Sequence, residues 1–427
     1  MRKSIKISLI GICFLFLVMN IIPLAQSQAT IYQAYFWIHE TGNQINAIGI
    51  TGDLDANKVQ LSEIVAVGQG NITLLDGYSG SVLANYSIAP PLSFNALAVG
   101  NLDGDPSNEI AAGSLDGNLL IALKYNKAND NFSVLWQKNY PVTQIHIADL
   151  TGDSLNELVI GDSLGNITAL FQNGTLLWSF NLTEAIGNLQ CLDFTQNGVT
   201  DGIIVLTNTQ ITLMNATGIK EWQVGASSPP LNAVLGDVLG DEDPEIIVKA
   251  QNFTNCFTSA GGLLWNSSSY MSNSAALLLY NFTTSPKYEI LVGGNNGSYL
   301  LYGTNGSLIQ VYLCNGSVTD VAIAEIYGYE EPILVMGDCN KNLTIWIMDD
   351  AIFLSNITLS DIVVGIILTD MNNNGIPDII AASLNGTVYI IGLPWLVVFT
   401  WVMIGIGIGV GIIIVTVFIV MKRKKSK

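Results

Sequence analysis

Along most of the chain, short apolar runs alternate with polar turns rich in Gly, Asn and Asp, and the runs are too brief for helices. Glu245-Ile246-Ile247-Val248 and Glu157-Leu158-Val159-Ile160-Gly161 are continuous apolar segments opened by an acid, as expected of strands covered on both faces. A longer unit recurs: an apolar strand, an acidic turn, an acid opening a second apolar strand, then two more strands separated by Gly-rich turns. The residues that open the second strand are Glu63, Glu109, Glu157, Asp201, Glu245, Glu289, Glu331 and Asp378, eight copies spaced by 42 to 48 residues. Short strands in sets of four at this period are the signature of propeller blades.

A propeller has to close its ring. The eighth copy has strands near 362–368, 378–382 and 387–391, and then a long apolar segment begins where its fourth strand belongs. The missing strand lies at the other end of the sequence. Tyr32-Gln33-Ala34-Tyr35-Phe36-Trp37-Ile38 precedes the first complete copy and carries a Trp, like the outer strands ending at Trp136, Trp178, Trp222 and Trp265. Residues about 31 to 39 are therefore expected to complete blade eight. The expected fold class is all-β, an eight-bladed β-propeller closed by an N-terminal strand, plus one C-terminal transmembrane helix. The seventh copy is the weakest, so seven blades with a decayed extra copy is the alternative.

The two ends place this domain. Met1-Arg2-Lys3 followed by an apolar run and Ser27-Gln28-Ala29 reads as a secretory signal peptide over residues 1–29. Leu393 to Met421 is 29 residues without a charge, where a spanning helix needs roughly 20. The basic tail 422–427 then stays on the cytoplasmic side. The expected topology is single-pass in the cell membrane, with residues 30–392 extracellular. Three of the 16 basic residues lie in the leader and five in the tail, leaving eight against all 34 acids, a net of −26 for residues 30–392. Such a field excludes nucleic acid as a partner and attracts cations. Membrane lipid is contacted through the apolar segment and, at its headgroups, by the tail. Within the segment, Gly405, Gly407, Gly409 and Gly411 form two overlapping Gly-x-x-x-Gly spacings, which suit a homodimer.

Sixteen Asn-x-Ser/Thr acceptors fit a glycosylated exterior. Of the five cysteines, Cys13 is in the leader, and Cys314 with Cys339 is the nearest pair among the other four. Three pairings of those four stay open.

The acidic turns carry the candidate chemistry. In blade three, Asp149, Thr151, Asp153 and Glu157 stand at positions 1, 3, 5 and 9 of a tight loop, where alternate side chains can converge on Ca²⁺, a hard cation that takes several oxygens. The same frame holds Asn101, Asp103, Asp105 and Glu109 in blade two; Asp193, Thr195, Asn197 and Asp201 in blade four; and Asp370, Asn372, Asn374 and Asp378 in blade eight. Blade five has Asp237, Asp241 and Glu245 but Leu239 at position 3, so its site is expected to be incomplete. Blade one offers Asp53, Asp55, Asn57 and Glu63 with an insertion. Blades six and seven have lost most of the acids.

These turns, Asp-x-Asn/Thr-Gly-Asp-x-x-x-Asp/Glu before an apolar strand and Gly, resemble the FG-GAP repeats of integrin alpha-subunit propellers and the related VCBS-type repeats. The resemblance covers residues 30–392, and it implies that the acids named above are calcium ligands in the first inter-strand loop of each blade. Segments such as Gly174-Thr175-Leu176-Leu177-Trp178 resemble the pyrroloquinoline-quinone-type propeller repeat as well. Fold-level resemblance does not carry function.

No catalytic motif appears, His39 and His146 both read as structural, and residues 30–392 contain no Arg to hold an anionic quinone. The chain is therefore read as a non-enzymatic module that binds an extracellular protein or glycan. A membrane-anchored quinoprotein-like enzyme and a structural surface-assembly component are the alternatives. Strand order sets the acidic turns toward the bilayer and leaves the opposite face free, with Tyr140 and Tyr270 as candidate partner contacts.

Overall fold

The computed structural model describes residues 34–54, 62–268, 273–280, 288–295, 298–302, 305–325, 332–348, 352–371 and 376–392. These residues contain strands and no helix, so no described helix is long and apolar enough to cross a membrane. The expected leader 1–29, the apolar segment 393–421 with its four glycines and the tail 422–427 lie outside the described residues.

The architecture is an all-β propeller whose described strands form eight four-stranded sheets. Their innermost strands touch in sequence order. Ile45–Ile50 meets Phe94–Gly100, followed by Val142–Ala148, Asn188–Leu192, Pro230–Gly236, Leu277–Tyr280, Val318–Ala324 and Val363–Thr369, and the last returns to Ile45–Ile50. We call the sheets blades one to eight in that order. Blade eight is completed by the far end of the chain: Ala34–Glu40 pairs antiparallel with Thr387–Gly392, Trp37 opposite Ile390 and His39 opposite Val388.

The unbroken apolar runs are the second and third strands. Ile64–Gly68, Glu109–Ser114 and Glu157–Asp162 are buried at every position, because each is sandwiched between two neighbouring sheets. One such interface packs Val65, Val67, Ile72 and Leu74 of blade one against Phe94, Ile110, Ala112 and Ile121 of blade two. Each fully buried aliphatic side chain contributes roughly 1.5–3 kcal/mol relative to exposure. Outer strands alternate between exposed and half-buried positions, as in Leu176–Asn181, since they form the rim.

Polar groups on the inner strands tie each blade to the next. Asn46 Nδ2 donates to the Phe94 carbonyl at 2.9 Å, Thr143 Oγ1 to the Ile186 carbonyl at 2.7 Å, and Asn232 Nδ2 to the Ala275 carbonyl at 2.8 Å. At the join of blades seven and eight the direction reverses, with Asp320 Oδ2 accepting from the Ile366 amide at 2.7 Å. Removal from water pushes the Asp320 carboxyl up to about 6, against the pull of two backbone N–H groups. Cys191, Cys256, Cys314 and Cys339 are all unbridged.

The outer-strand tryptophans explain a second join. Trp136, Trp178 and Trp222 each donate their indole N–H to a carbonyl in the outer turn of the following blade: Gln172 at 2.8 Å, Ala216 at 2.9 Å and Ser259 at 2.9 Å. Trp37 does the same across the closure, reaching the Gly77 carbonyl of blade one at 3.2 Å. The outer strand of blade six carries no Trp, and there Tyr312 donates its hydroxyl to the Met348 carbonyl at 3.0 Å while its ring meets the edge of Trp346 in blade seven.

The indole lies so close to the receiving turn that only Gly fits there. Gly218 has φ +82°, and a Cβ would stand 2.6 Å from the Trp178 ring. Gly218→Ala is therefore expected to cost about 1–3 kcal/mol through overpacking and backbone strain. Gly225→Ala, which meets nothing within 4 Å, should stay within about 0.5 kcal/mol. Denaturant midpoints of the two variants check this; equal midpoints would remove the docking interpretation.

Candidate metal centres on one face

In blade four Gly202 opens the second strand and half-buried Asp201 accepts from the Thr195 amide at 3.0 Å; the acidic turns of blades one, two, three, five and eight share one frame. The acid that opens the second strand is buried, and its carboxylate folds back to accept the N–H at the second loop position: Leu54 to Glu63 at 2.6 Å, Leu102 to Glu109 at 2.8 Å, Leu150 to Glu157 at 3.0 Å, Val238 to Glu245 at 3.0 Å and Met371 to Asp378 at 2.9 Å. The side chain at that second position is apolar and buried, so it anchors the turn while its amide finds an acceptor. This bond alone is a structural reason for the acid, independent of any ion.

The remaining oxygens differ from blade to blade. Among the described residues, two sets of three acids bring ligand atoms within 4.8 Å of one another: Asp103, Asp105 and Glu109 in blade two, and Asp237, Asp241 and Glu245 in blade five. Blade five gathers three acids although its position 3, Leu239, offers no side-chain oxygen. The Leu239 N–H donates to Glu245 Oε2 at 3.2 Å, a bond of the turn itself. Asp237 caps the turn through the amides of Gly240, Asp241 and Glu242, with Gly240 at φ +76° making the reversal.

In blade three Asp149 is occupied in the same way, accepting from Thr151, Gly152 and Ser154, and its set is not among the two that converge. Glu157 is nevertheless fully buried, and its Oε1 has no hydrogen-bond partner. In blade four Thr195 donates its hydroxyl to Asp201 Oδ2 at 3.0 Å, while Asp193 accepts the amides of Asn197 and Gly198. In blade one Asp53 and Glu63 are described, but Asp55 and Asn57 lie outside the described residues. In blade eight Asp370 and Asp378 are described, and Asn372 and Asn374 lie outside.

Burial raises the carboxyls of Glu109, Glu157 and Glu245 above their ordinary value, against the backbone N–H bonds that lower them; neighbouring aspartates add to the rise. Asp378 is pushed up to about 7 by the same burial, with Asp370 contributing. Carboxylates placed in this way disfavour their own charge unless a cation answers it.

Neighbouring turns also brace one another, a feature no single repeat could reveal. Asn156 Nδ2 of blade three donates to the Asn101 carbonyl of blade two at 2.8 Å, and the Thr200 amide of blade four to the Asp149 carbonyl at 2.8 Å. Where blades six and seven have lost acids, Tyr280 donates its hydroxyl to Glu325 across the join at 3.0 Å. The face itself is fixed by register: Ile391 pairs with Ile379, so Gly392 ends beside the acidic turn of blade eight.

On the opposite face, Tyr140 is half-buried and packs against the core shared by blades two and three, and Tyr270 lies outside the described residues. His146 is desolvated on its inner strand, its pKa pushed down to about 4, which keeps it neutral.

The raised Glu245 carboxyl gives a pH signature. A group whose folded pKa lies above its unfolded value supports the fold when protonated and loses that support as pH rises through the folded value. Metal-free stability is thus expected to fall as pH rises from below the ordinary glutamate value toward neutrality. Glu245→Gln should flatten part of that fall and be the more stable form in chelator at pH 7.5, because two neighbouring aspartates no longer face a third charge. Melting curves in chelator across pH check it; a Gln variant that is less stable throughout contradicts it.

No protein-family model matches the sequence, and no curated protein matches it. Solved structures do match in fold. Sqt1 of Saccharomyces cerevisiae superposes with a TM-score of 0.68 at 13% identity, over 84% of this chain and 98% of that one. Sqt1 of Chaetomium thermophilum, bound to the N-terminus of the ribosomal protein L10, gives 0.65 at 12% identity, over 84% and 99%. BamB of Moraxella catarrhalis gives 0.55 at 15%, over 83% and 97%. At these identities the likeness establishes the β-propeller and nothing narrower, and the FG-GAP resemblance rests on the turn residues alone.

Proposed function

We propose that this chain is a calcium-binding propeller of the FG-GAP type, held at the cell surface by its C-terminal apolar segment. It acts as a binding module, not an enzyme, engaging an extracellular protein or glycan through the face opposite the acidic turns. The observation that carries the calcium reading is the convergence of Asp237, Asp241 and Glu245 within 4.8 Å on a buried frame. Three carboxylates so placed repel one another in the absence of a cation. A hard divalent ion suits an all-oxygen set, with backbone carbonyls and water completing its shell. The net charge of −26 over residues 30–392 favours cation uptake in general.

The orientation follows from Gly392 ending on the acidic-turn face, immediately before the apolar segment. The far face then carries connections such as Ala89-Pro90-Pro91-Leu92-Ser93 and Asn139-Tyr140-Pro141, where ligand contacts are expected. Protein recognition is within the reach of the fold, since the Chaetomium Sqt1 propeller is bound to a segment of a ribosomal protein. Glycan attachment suits exposed acceptors such as Asn173, Asn305 and Asn385. It does not suit Asn342, which is 8% exposed and gives its amide to Asp338.

Calorimetric Ca²⁺ titration of the full chain in detergent tests the reading. Wild type is expected to bind and to melt at higher temperature with Ca²⁺ than with chelator; an ion held at one hundred times its Kd stabilises by about 2.7 kcal/mol. The Asp237→Asn/Asp241→Asn variant should bind fewer ions per chain. Absence of binding heat and of any melting shift in wild type would refute it.

A further inference from the structure

Blade two gathers three acids as blade five does, from positions 3, 5 and 9 instead of 1, 5 and 9, and adds a cation. The third strand, Leu119–Asn126, carries Lys124, whose Nζ lies against Asp103 Oδ2, 2.5 Å from Asp105 Oδ2 and 3.4 Å from Glu109 Oε1. The ammonium therefore sits where the loop's carboxylate oxygens meet. Glu109 is fully buried, and its Oε1 has no hydrogen-bond partner; Lys124 at 3.4 Å is the cation it faces. Although partial burial opposes it, the bonds to Asp103 and Asp105 and the charge of Glu109 hold the ammonium above the ordinary lysine range.

Register makes the comparison with other blades exact in position. Ile110 pairs with Leu123, which puts Lys124 one step further toward the acidic turn. The equivalent pairs Leu158–Leu170, Ile203–Met214, Ile246–Phe257 and Ile64–Leu75 put Phe171, Asn215, Thr258 and Asp76 at that place. In blades seven and eight the pairs Leu334–Trp346 and Ile379–Ile391 put Ile347 and Gly392 there. None of these is basic, and blade five, whose acids also gather within 4.8 Å, has Thr258 there and no ion pair among the described residues.

We propose that Lys124 is a built-in cation: its ammonium takes, in blade two, the place a divalent ion takes in blade five, so this turn closes without metal, and removing the ammonium opens a metal site. The inference rests on the calcium reading for what fills the other turns. Its own content is that two turns that each gather three acids, at positions 3, 5 and 9 in blade two and 1, 5 and 9 in blade five, differ in metal dependence through a residue on another strand. An ammonium supplies one charge and three N–H donors to three carboxylates, which a bound divalent ion would otherwise answer through its oxygen shell.

The test counts Ca²⁺ ions bound per full chain in detergent by equilibrium dialysis. Asp103→Asn/Asp105→Asn is expected to leave the wild-type number unchanged, Asp237→Asn/Asp241→Asn to lower it by one, and Lys124→Gln to raise it by one. Loss of an ion in Asp103→Asn/Asp105→Asn, or no added ion in Lys124→Gln, overturns the proposal. If wild type binds no calcium, the calcium reading fails while Lys124 remains testable in chelator. There a double-mutant cycle of Lys124→Gln and Asp105→Asn should be strongly non-additive in denaturant midpoint, and additive midpoints overturn the pairing.

Discussion

The structure depends on one constraint: a ring of sheets is stable only when its last sheet is finished and its ends meet. Thr387–Gly392 would otherwise be an edge strand with unpaired N–H and C=O groups, and the interface between blades eight and one would be open to water. Pairing with Ala34–Glu40 removes both faults with a strand from the opposite end of the sequence. Trp37 then spans from that strand to the Gly77 carbonyl of blade one, so the closing strand is held from both sides. Every other join in the ring is between residues near in sequence, and this one is not.

On that scaffold the acidic turns do two things with one carboxylate. In five blades one oxygen of the strand-opening acid satisfies a backbone amide that the turn would leave buried and unpaired. In Glu109 and Glu157 the other oxygen is buried without a hydrogen-bond partner, and a cation there would answer its charge. Glu289 is buried at the start of its strand in blade six as well. In blade two Lys124 answers the Glu109 charge from within the chain, and in blade five no ion pair to the gathered acids is formed among the described residues.

Much of this was legible in the sequence because the repeat constrains backbone and side chain together. In five blades the openers mark positions where an acid accepts an amide and an apolar run passes between two sheets, which ties them to a steady interval. The closing strand was legible through Trp37, whose docking partner demands an aromatic residue with an N–H. What stayed hidden involves groups distant in sequence or main-chain atoms. Leu239 leaves position 3 without a side-chain oxygen, and spacing alone could not show that Asp237, Asp241 and Glu245 gather all the same. Lys124 lies on another strand from the loop it neutralises, and the Asn156–Asn101 brace joins two copies that a repeat alignment treats as separate. Tyr140 reads as a surface aromatic in a turn, but it packs on the core between two blades.

The most direct test of the central claim is amide hydrogen exchange of the full chain, followed by peptide mass spectrometry. A closed ring predicts that residues 34–40 exchange as slowly as residues 387–392, with both released together when the domain unfolds. Exchange of 34–40 at the rate of an unprotected chain, while 379–391 stays protected, would contradict the closure and with it the ring.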